Sequence, residues 1–333
     1  MKTLIINHDE IKSLLPMAKC IELMAETLTA YSAGKVVLPL RPIMPLPDGK
    51  SLLAMMPAFH QPNEALGIKV LSLFPKNHGT NFDAHQGAVL LFSADNGFLQ
   101  AVMDAAQITA IRTAAASGAA TQVLSRQNAK TLAIFGSGVQ AETHLEAMTT
   151  VREIERVKIW SRTTANAKAF ANLSREKYSC EFIVCKTGEE AALESDIICT
   201  TTAATEPVLR GDWIAPGTHV NAIGASQPRY RELDAGAVAK SKLYVDSRLS
   251  AENEAGEYLL PLQSGEIDKN HLLGEVGEIL LERIQGRTSE SEITLFKSLG
   301  IAAEDVVSAQ HIYREAMRQN IGQKVYIGGV KNR

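Results

Sequence analysis

Lys69 stands inside the apolar run Gly67-Ile68-Lys69-Val70-Leu71-Ser72-Leu73-Phe74. Strand alternation puts it on the same face as Leu71 and Leu73. A lysine among apolar neighbours is costly unless it is paired or near water, and burial lowers its pKa. Two readings fit: an edge-strand lysine facing solvent, or a proton donor and contact for an imine or a carboxylate. Arg112 is equally ambiguous. A guanidinium near a helix start makes a good carboxylate site, yet surface arginines are common. Arg41, between Leu40 and Pro42, has the same status. His85, in Asp83-Ala84-His85-Gln86-Gly87 ahead of a strand, reads better as structural than as catalytic.

A second kind of chemistry is written in Thr131-Leu132-Ala133-Ile134-Phe135-Gly136-Ser137-Gly138-Val139-Gln140-Ala141. An apolar run ends in two glycines and passes into helix-favouring sequence. Gly136 allows a sharp turn, Gly138 lets backbone N–H groups approach a pyrophosphate at a helix N-terminus, and Ala141 permits close helix–strand packing. The pattern alone is weak, so its surroundings matter. Over the next 120 or so residues strands are expected at 131–136, 156–161, 180–185, 196–202, 219–224 and 241–247, with helices near 139–149, 163–174 and 187–193. Six strands of parallel α/β character are what a dinucleotide-binding sheet requires. The second strand runs into Ser161-Arg162-Thr163, where an NAD site usually carries a carboxylate. A guanidinium with two hydroxyls suits the 2′-phosphate of NADPH instead. The alternative is an arginine that merely caps a loop.

Ahead of this region, apolar spacing from Met17 to Tyr31 predicts a helix over 16–32, ended by Gly34. A β-rich stretch follows from Arg41, with strands at Leu66–Phe74, Ala88–Ser93 and Phe98–Met103. Asp95-Asn96-Gly97 signals a hairpin with positive φ angles. A helix rich in small residues is expected over 108–124, with Thr109 as N-cap and Arg112 in its first turn. Its alanines suit either tight packing or approach to a cofactor. Further helices are expected near 275–285, 290–299 and 302–319, the last beginning about Glu304-Asp305.

The 333 residues suffice for two domains, and 45% apolar with 21% charged residues is ordinary for a globular protein. A formal charge of −3 gives no basic footprint for nucleic acid. Cys20, Cys180, Cys185 and Cys199 lack C-x-x-C spacing and read as reduced, mostly buried thiols, so no metal is expected. The first residues lack the apolar core of a signal peptide, and no run approaches a membrane span. A cytoplasmic location is the expectation.

Taken together, these motifs resemble the ornithine cyclodeaminase and mu-crystallin family over nearly the whole chain. The resemblance rests on His85-Gln86-Gly87-Ala88-Val89-Leu90-Leu91-Phe92, Ala101-Val102-Met103-Asp104, Ile108-Thr109-Ala110-Ile111-Arg112-Thr113-Ala114-Ala115 and Gly136-Ser137-Gly138-Val139-Gln140-Ala141. It continues through Ile159-Trp160-Ser161-Arg162-Thr163, Ala204-Thr205-Glu206-Pro207, Asn221-Ala222-Ile223-Gly224-Ala225-Ser226, Arg231-Glu232-Leu233-Asp234 and Phe296-Lys297-Ser298-Leu299-Gly300. It implies a homodimer, and a substrate site in which Arg41, Lys69 and Arg112 hold a carboxylate. Cyclodeaminases and the family's alanine dehydrogenases carry an Asp after the fifth strand to act on the substrate amine. Ser226 stands there in this chain, within Gly224-Ala225-Ser226-Gln227-Pro228, a form similar to the mu-crystallin branch of ketimine reductases.

The expectation is therefore an α/β protein with a Rossmann-type domain over 121–302. An α+β substrate-binding and dimerisation domain takes 1–120 with 303–333. Lys69, Arg112 and Ser226 form the catalytic set, with Arg41 and His85 also on the substrate. Cofactor contacts are expected from Thr113, Gly136, Gly138, Val139, Gln140, Ser161, Arg162, Thr163, Thr201, Ile223 and Gly224. The reaction is reduction of a cyclic ketimine carboxylate, a small imino acid, by NADPH, with NADH possible. Rival readings are an NAD-dependent ornithine or lysine cyclodeaminase, and a non-catalytic binder of NADPH and small ligands.

Overall fold

A computed structural model describes residues 2–77 and 79–328 of the chain. Its elements begin with β1 (Thr3–Ile6), α1 (His8–Leu14), α2 (Met17–Ser32), β2 (Val36–Val37), β3 (Ile43–Pro45) and β4 (Leu52–His60). Next come β5 (Ala65–Leu73), β6 (His85–Ser93), β7 (Leu99–Asp104) and the long helix α3 (Ala105–Leu124). Then follow β8 (Thr131–Phe135), α4 (Val139–Val151), β9 (Arg156–Trp160), α5 (Thr164–Arg175), β10 (Glu181–Val184) and α6 (Gly188–Ala192). After these lie β11 (Ile197–Thr200), β12 (His219–Ala222), α7 (Ala235–Ala239), β13 (Lys242–Val245), α8 (Arg248–Glu254) and α9 (Gly256–Ser264). The chain finishes with β14 (Leu272–Glu275), α10 (Val276–Leu280), β15 (Thr294–Lys297), α11 (Ala302–Gln319) and β16 (Gln323–Val325). These elements form two units: Met1–Arg112 with Ile301–Arg333, and Thr113–Gly300. The dividing line crosses α3.

In the first unit, a mostly antiparallel sheet runs β16-β1-β7-β6-β5-β4-β2, with β3 also paired to β4. One face buries Ala54, Met56, Ala58, Ala65, Val89, Leu91, Ala101 and Met103, and α11 packs across β4, β5 and β6 on that side. Gly67 makes this approach possible. A Cβ there would lie 2.7 Å from the Leu90 carbonyl oxygen and 3.3 Å from the Val306 side chain of α11. The alternate residues of the same strands, Leu53, Met55, Phe59, Ile68, Val70 and Leu90, are also apolar but only partly covered or exposed. Apolar side chains on both faces are the mark of a sheet built to be covered on both.

Two expectations for this unit change. The first turn of α3 is capped by Asp104, whose Oδ1 accepts the Gln107 N–H at 2.7 Å. Thr109 is therefore interior to the helix, and Arg112 lies about two turns in rather than in the first turn. Asp104-x-x-Gln107 is itself an N-terminal signature. The Asp95-Asn96-Gly97 turn closes β6 and β7 with only Gly97 at positive φ, +72°. Its loop is too long for the two-residue hairpin that would need two such residues.

The second unit is a fully parallel sheet in the order β10-β9-β8-β11-β12-β15-β13-β14. Its first five positions are the third, second, first, fourth and fifth strands of the unit, the doubly wound Rossmann order. The next position is taken by β15, from a segment expected to be helical over 290–299. Thr294, Leu295, Phe296 and Lys297 are all buried. A short run buried on both faces has no strand alternation, so its periodicity does not separate it from a helix. The strand expected at 241–247 lies one place further out, as β13. The helix expected over 275–285 is only the short α10, because Glu282 takes a left-handed φ of +57°. The core of this sheet is formed by Phe135, Ile198, Val220, Leu243 and Leu295 with their neighbours.

Among the described residues no helix is long and apolar enough to cross a membrane. All four cysteines are free, and Cys20, Cys185 and Cys199 are buried. Asp104→Ala should lower the unfolding free energy by about 1 kcal/mol through loss of the cap. Asp104→Asn should restore most of it. Urea denaturation of the three proteins checks both outcomes.

Candidate active site

Lys69 sits in β5, an interior strand between β4 and β6, and only 1% of it is exposed. The solvent-facing reading is thereby excluded. Its Nζ lies 2.7 Å from Asp305 Oδ2 and donates to Thr109 Oγ1 at 3.3 Å. Asp305 belongs to the first turn of α11, where acidic residues are favoured by the helix dipole. Its other oxygen accepts the Arg112 Nε–H at 3.0 Å. Glu304 Oε2 accepts Arg112 Nη1–H at 2.7 Å. Glu304 and Asp305 are fully buried and Arg112 nearly so. Four charged groups from β5, α3 and α11 thus meet inside the first unit.

Burial, reinforced by the positive charges of Arg112 and Arg41, pushes Lys69 down to about 8 despite Asp305. Burial also opposes the charge on Arg112, but Asp305 and Glu304 outweigh it and raise its pKa above the ordinary value. Burial would lift Asp305, yet Arg112 and Lys69 hold it below the usual carboxylate range. Arg41 precedes β3 and is half-buried. Its field reaches Lys69, so it belongs to the same electrostatic neighbourhood. Lys69 and Arg112 thus stand against Asp305 and Glu304 at close range, and Arg41 adds its positive field at Lys69. His85 is exposed at the start of β6, opposite Leu73. Lys69 pairs with Val89, four residues along, so His85 stands about 13 Å up the strand from the cluster.

In the second unit Gly136 follows β8 with φ +123°, and a Cβ there would come within 2.6 Å of Thr201 Oγ1. The Thr201 hydroxyl and N–H both donate to the Phe135 carbonyl, at 2.9 and 2.8 Å. Gly138 caps α4 in an extended conformation, and a Cβ on it would meet nothing within 4 Å. Val139, the first residue of α4, is 65% exposed. Gln140 Oε1 is buried without a hydrogen-bond partner. A tight turn and an open approach to the helix N-terminus fit a dinucleotide phosphate. Ser137 Oγ donates to Ser161 Oγ at 3.1 Å, linking this turn to the end of β9. Arg162 and Thr163 follow, exposed. Thr163 is the N-cap residue of α5, but its hydroxyl makes no capping bond. Thr113 is buried in α3, where its carbonyl accepts from Ser117 Oγ at 3.3 Å. The small residues after it, Ala114, Ala115, Ala116, Ala119 and Ala120, are all fully buried, which is close packing.

The loop after β12 carries Ile223, Gly224 and Ser226, and Ser226 is exposed. Sequence reasoning missed what holds this loop. Glu232, fully buried, accepts from Thr200 Oγ1, Thr202 N, Thr202 Oγ1 and Gly224 N, each at 2.7 Å. Lys297 Nζ donates to the carbonyls of Ala225 and Ala222 at 2.5 and 3.2 Å. It also lies 3.4 Å from Glu257 Oε2, and Glu257 Oε1 accepts the Glu232 N–H at 2.9 Å. Glu304 and Asp305 were likewise missed as site residues. Two acids opening a helix look the same whether they cap it or serve a site.

A glycine turn on a parallel sheet of this order defines the class: a Rossmann-type dinucleotide-binding protein. The chain belongs to the ornithine cyclodeaminase/mu-crystallin family, which it matches over residues 1–320. It is 37% identical to a Δ1-pyrroline-2-carboxylate reductase of Bacillus cereus, over 97% of this chain and 99% of that one. It is 40% identical to the ketimine reductase mu-crystallin of Mus musculus, over 84% of this chain and 85% of that one. Among solved structures, the Δ1-pyrroline-2-carboxylate reductase of Thermococcus litoralis, in complex with NADH and L-proline, superposes with a TM-score of 0.95. That likeness is at 37% identity and covers 97% of this chain and 100% of that one.

Removing Asp305 leaves two buried cations without their shared partner. Asp305→Ala is expected to cost about 3–5 kcal/mol of stability, against roughly 1 kcal/mol or less for an exposed pair such as Lys19–Glu22. Guanidinium chloride denaturation of the two variants gives the comparison.

Proposed function

We propose that this protein reduces cyclic ketimine carboxylates, Δ1-pyrroline-2-carboxylate to L-proline and Δ1-piperideine-2-carboxylate to L-pipecolate, with NADPH or NADH. The observation that carries this reading is the buried cluster of Lys69 and Arg112 on Asp305 and Glu304, within the field of Arg41. The reductases it resembles add the chemical precedent.

Arg41, Arg112 and Lys69 bind the substrate carboxylate. Charge-assisted bonds to a carboxylate are strong, and a guanidinium fixes its plane. Asp305 and Glu304 hold Arg112 at two of its nitrogens, so the guanidinium is oriented before any ligand arrives. That preorganisation spares ordering entropy at the moment of binding. Lys69 stays an ammonium near neutral pH and favours the substrate carboxylate, or relays a proton toward the imine nitrogen. Ser226 hydrogen-bonds the imine nitrogen or an ordered water. It carries no carboxylate to act on an amine, which sets this chain apart from a cyclodeaminase.

Gly136, Gly138, Val139 and Gln140 would hold the pyrophosphate, with Thr113, Thr201, Ile223 and Gly224 as further contacts. Ser161, Arg162 and Thr163 would take the 2′-phosphate. When bound, the nicotinamide supplies hydride to the imine carbon. His85, about 13 Å up the strand, lies too far from the cluster to touch a small imino acid held there. We further propose that two copies pair through the apolar outer face of the first unit's sheet, where Met55 and Met44 are exposed.

Purified protein should oxidise NADPH in the presence of either ketimine acid. Lys69→Ala and Arg112→Ala should each lower kcat/KM about 100-fold or more, the weight of a charged hydrogen bond. Undiminished turnover in both variants would remove the site assignment. Because the ammonium form is the binding form and its pKa is lowered to about 8, kcat/KM should fall as pH rises through that value. An unperturbed lysine, near 10.4, would leave the profile flat there. Arg162→Ala should raise KM for NADPH about tenfold and leave KM for NADH unchanged, as steady-state kinetics with each nucleotide will report.

A further inference from the structure

We propose that Glu232 and Lys297 are positioning residues that clamp the segment 222–226 from its two sides and so set where Ser226 stands, an inference resting on the ketimine reductase reading. Glu232 takes the segment by an N–H, that of Gly224 at 2.7 Å. Lys297 takes it by carbonyls, those of Ala222 and Ala225. The Ala225 carbonyl belongs to the peptide bond that carries the Ser226 nitrogen, so the grip falls on the residue's own backbone. Both clamping groups are fully buried, whereas Ser226 is exposed.

The same carboxylate holds the neighbouring strand end through Thr200 and Thr202. The two loops that follow β11 and β12 are therefore fixed to one group. Gly224 has no slack: a Cβ on it would lie 2.0 Å from the Thr202 carbonyl oxygen and 2.6 Å from Glu232 Oε1. Lys297 is in register with Ala222, at the end of the adjacent β15. Glu257 completes the arrangement, facing Lys297 and accepting the backbone N–H of Glu232.

A carboxylate is required because every one of these four contacts to its oxygens is one it accepts. Glutamine has the same shape, but either orientation of its amide sets an NH2 against a backbone N–H, of Gly224 or of Thr202. Glu232→Gln therefore loosens the clamp without changing volume. A misplacement of about 1 Å at a reacting centre costs on the order of 100-fold in rate.

The test is a double-mutant cycle between Glu232→Gln and Ser226→Ala. It is followed as kcat with Δ1-pyrroline-2-carboxylate, with NADPH dissociation constants from nucleotide fluorescence and thermal melts alongside. Glu232→Gln alone should lower kcat about 100-fold with KM for the imine acid nearly unchanged. In the Ser226→Ala background it should cost no more than about twofold, the scatter of additivity. Lys297→Met should behave alike, and runs the same cycle if Glu232→Gln does not fold. Lys297→Arg should recover part of kcat. Losses that multiply, or that merely track the folded fraction, would overturn the clamp and leave these residues structural. An active wild type whose variants keep full kcat overturns the clamp alone. A wild type that does not oxidise NADPH with the ketimine overturns the functional reading and the clamp with it.

Discussion

The first unit depends on a single buried exchange of charge. Lys69 and Arg112 could not be taken out of water alone, since an isolated charge in a low-dielectric interior costs several kcal/mol even after relaxation. Asp305 answers both, and Glu304 answers the second bond of the guanidinium. Because these acids lie 192 and 193 positions from Arg112, the cluster fixes α11 against β5 and α3 more specifically than apolar packing would. Gly67 completes the constraint by letting α11 come close enough for Asp305 to reach Lys69. Fold and the proposed binding chemistry thus draw on the same contacts.

The second unit solves a different problem with the same device. Two loops must be held at the ends of neighbouring parallel strands, where the regular ladder has stopped supplying partners. Glu232 and Lys297 provide them, one as acceptor and one as donor, and both are sealed from water. Polar side chains serve here as replacements for missing strands. Their hydrogen bonds go to backbone and hydroxyl groups that would otherwise be buried unmet, which is where a hydrogen bond matters most.

Some of this was legible from residue types. Lys69 announced itself as a charge within an apolar strand, and the glycine turn at 136–138 gained meaning from the strands around it. The positions of the first five strands of the Rossmann sheet could be anticipated, though not their order. What lay beyond reach was non-local. Nothing in Glu304-Asp305 distinguishes a pair of site carboxylates from an ordinary helix start, and nothing in Arg231-Glu232-Leu233 tells that Glu232 turns inward. The strand at 294–297 was read as helix because burial on both faces erases the alternation that identifies a strand. The strand ahead of α3 runs to Asp104, one residue beyond the expected Met103, and Asp104 caps the helix in place of Thr109. Such one-residue shifts matter little to a fold. They matter for Arg112, whose orientation rests on carboxylates and not on its own helix end.

The discontinuous first unit has a consequence for how the protein comes into being. All its sheet strands but β16 leave the ribosome early, whereas the helix bearing Glu304 and Asp305 follows only after the whole second unit has been made. Until then, Lys69 and Arg112 have no counter-ions, and the early strands carry uncovered apolar faces, a state open to aggregation. A nascent chain is therefore a sheet in waiting, without the acids that complete its buried charge cluster. On the proposed reading, carboxylate recognition is acquired only once this helix has been made, and acquiring it coincides with covering the sheet.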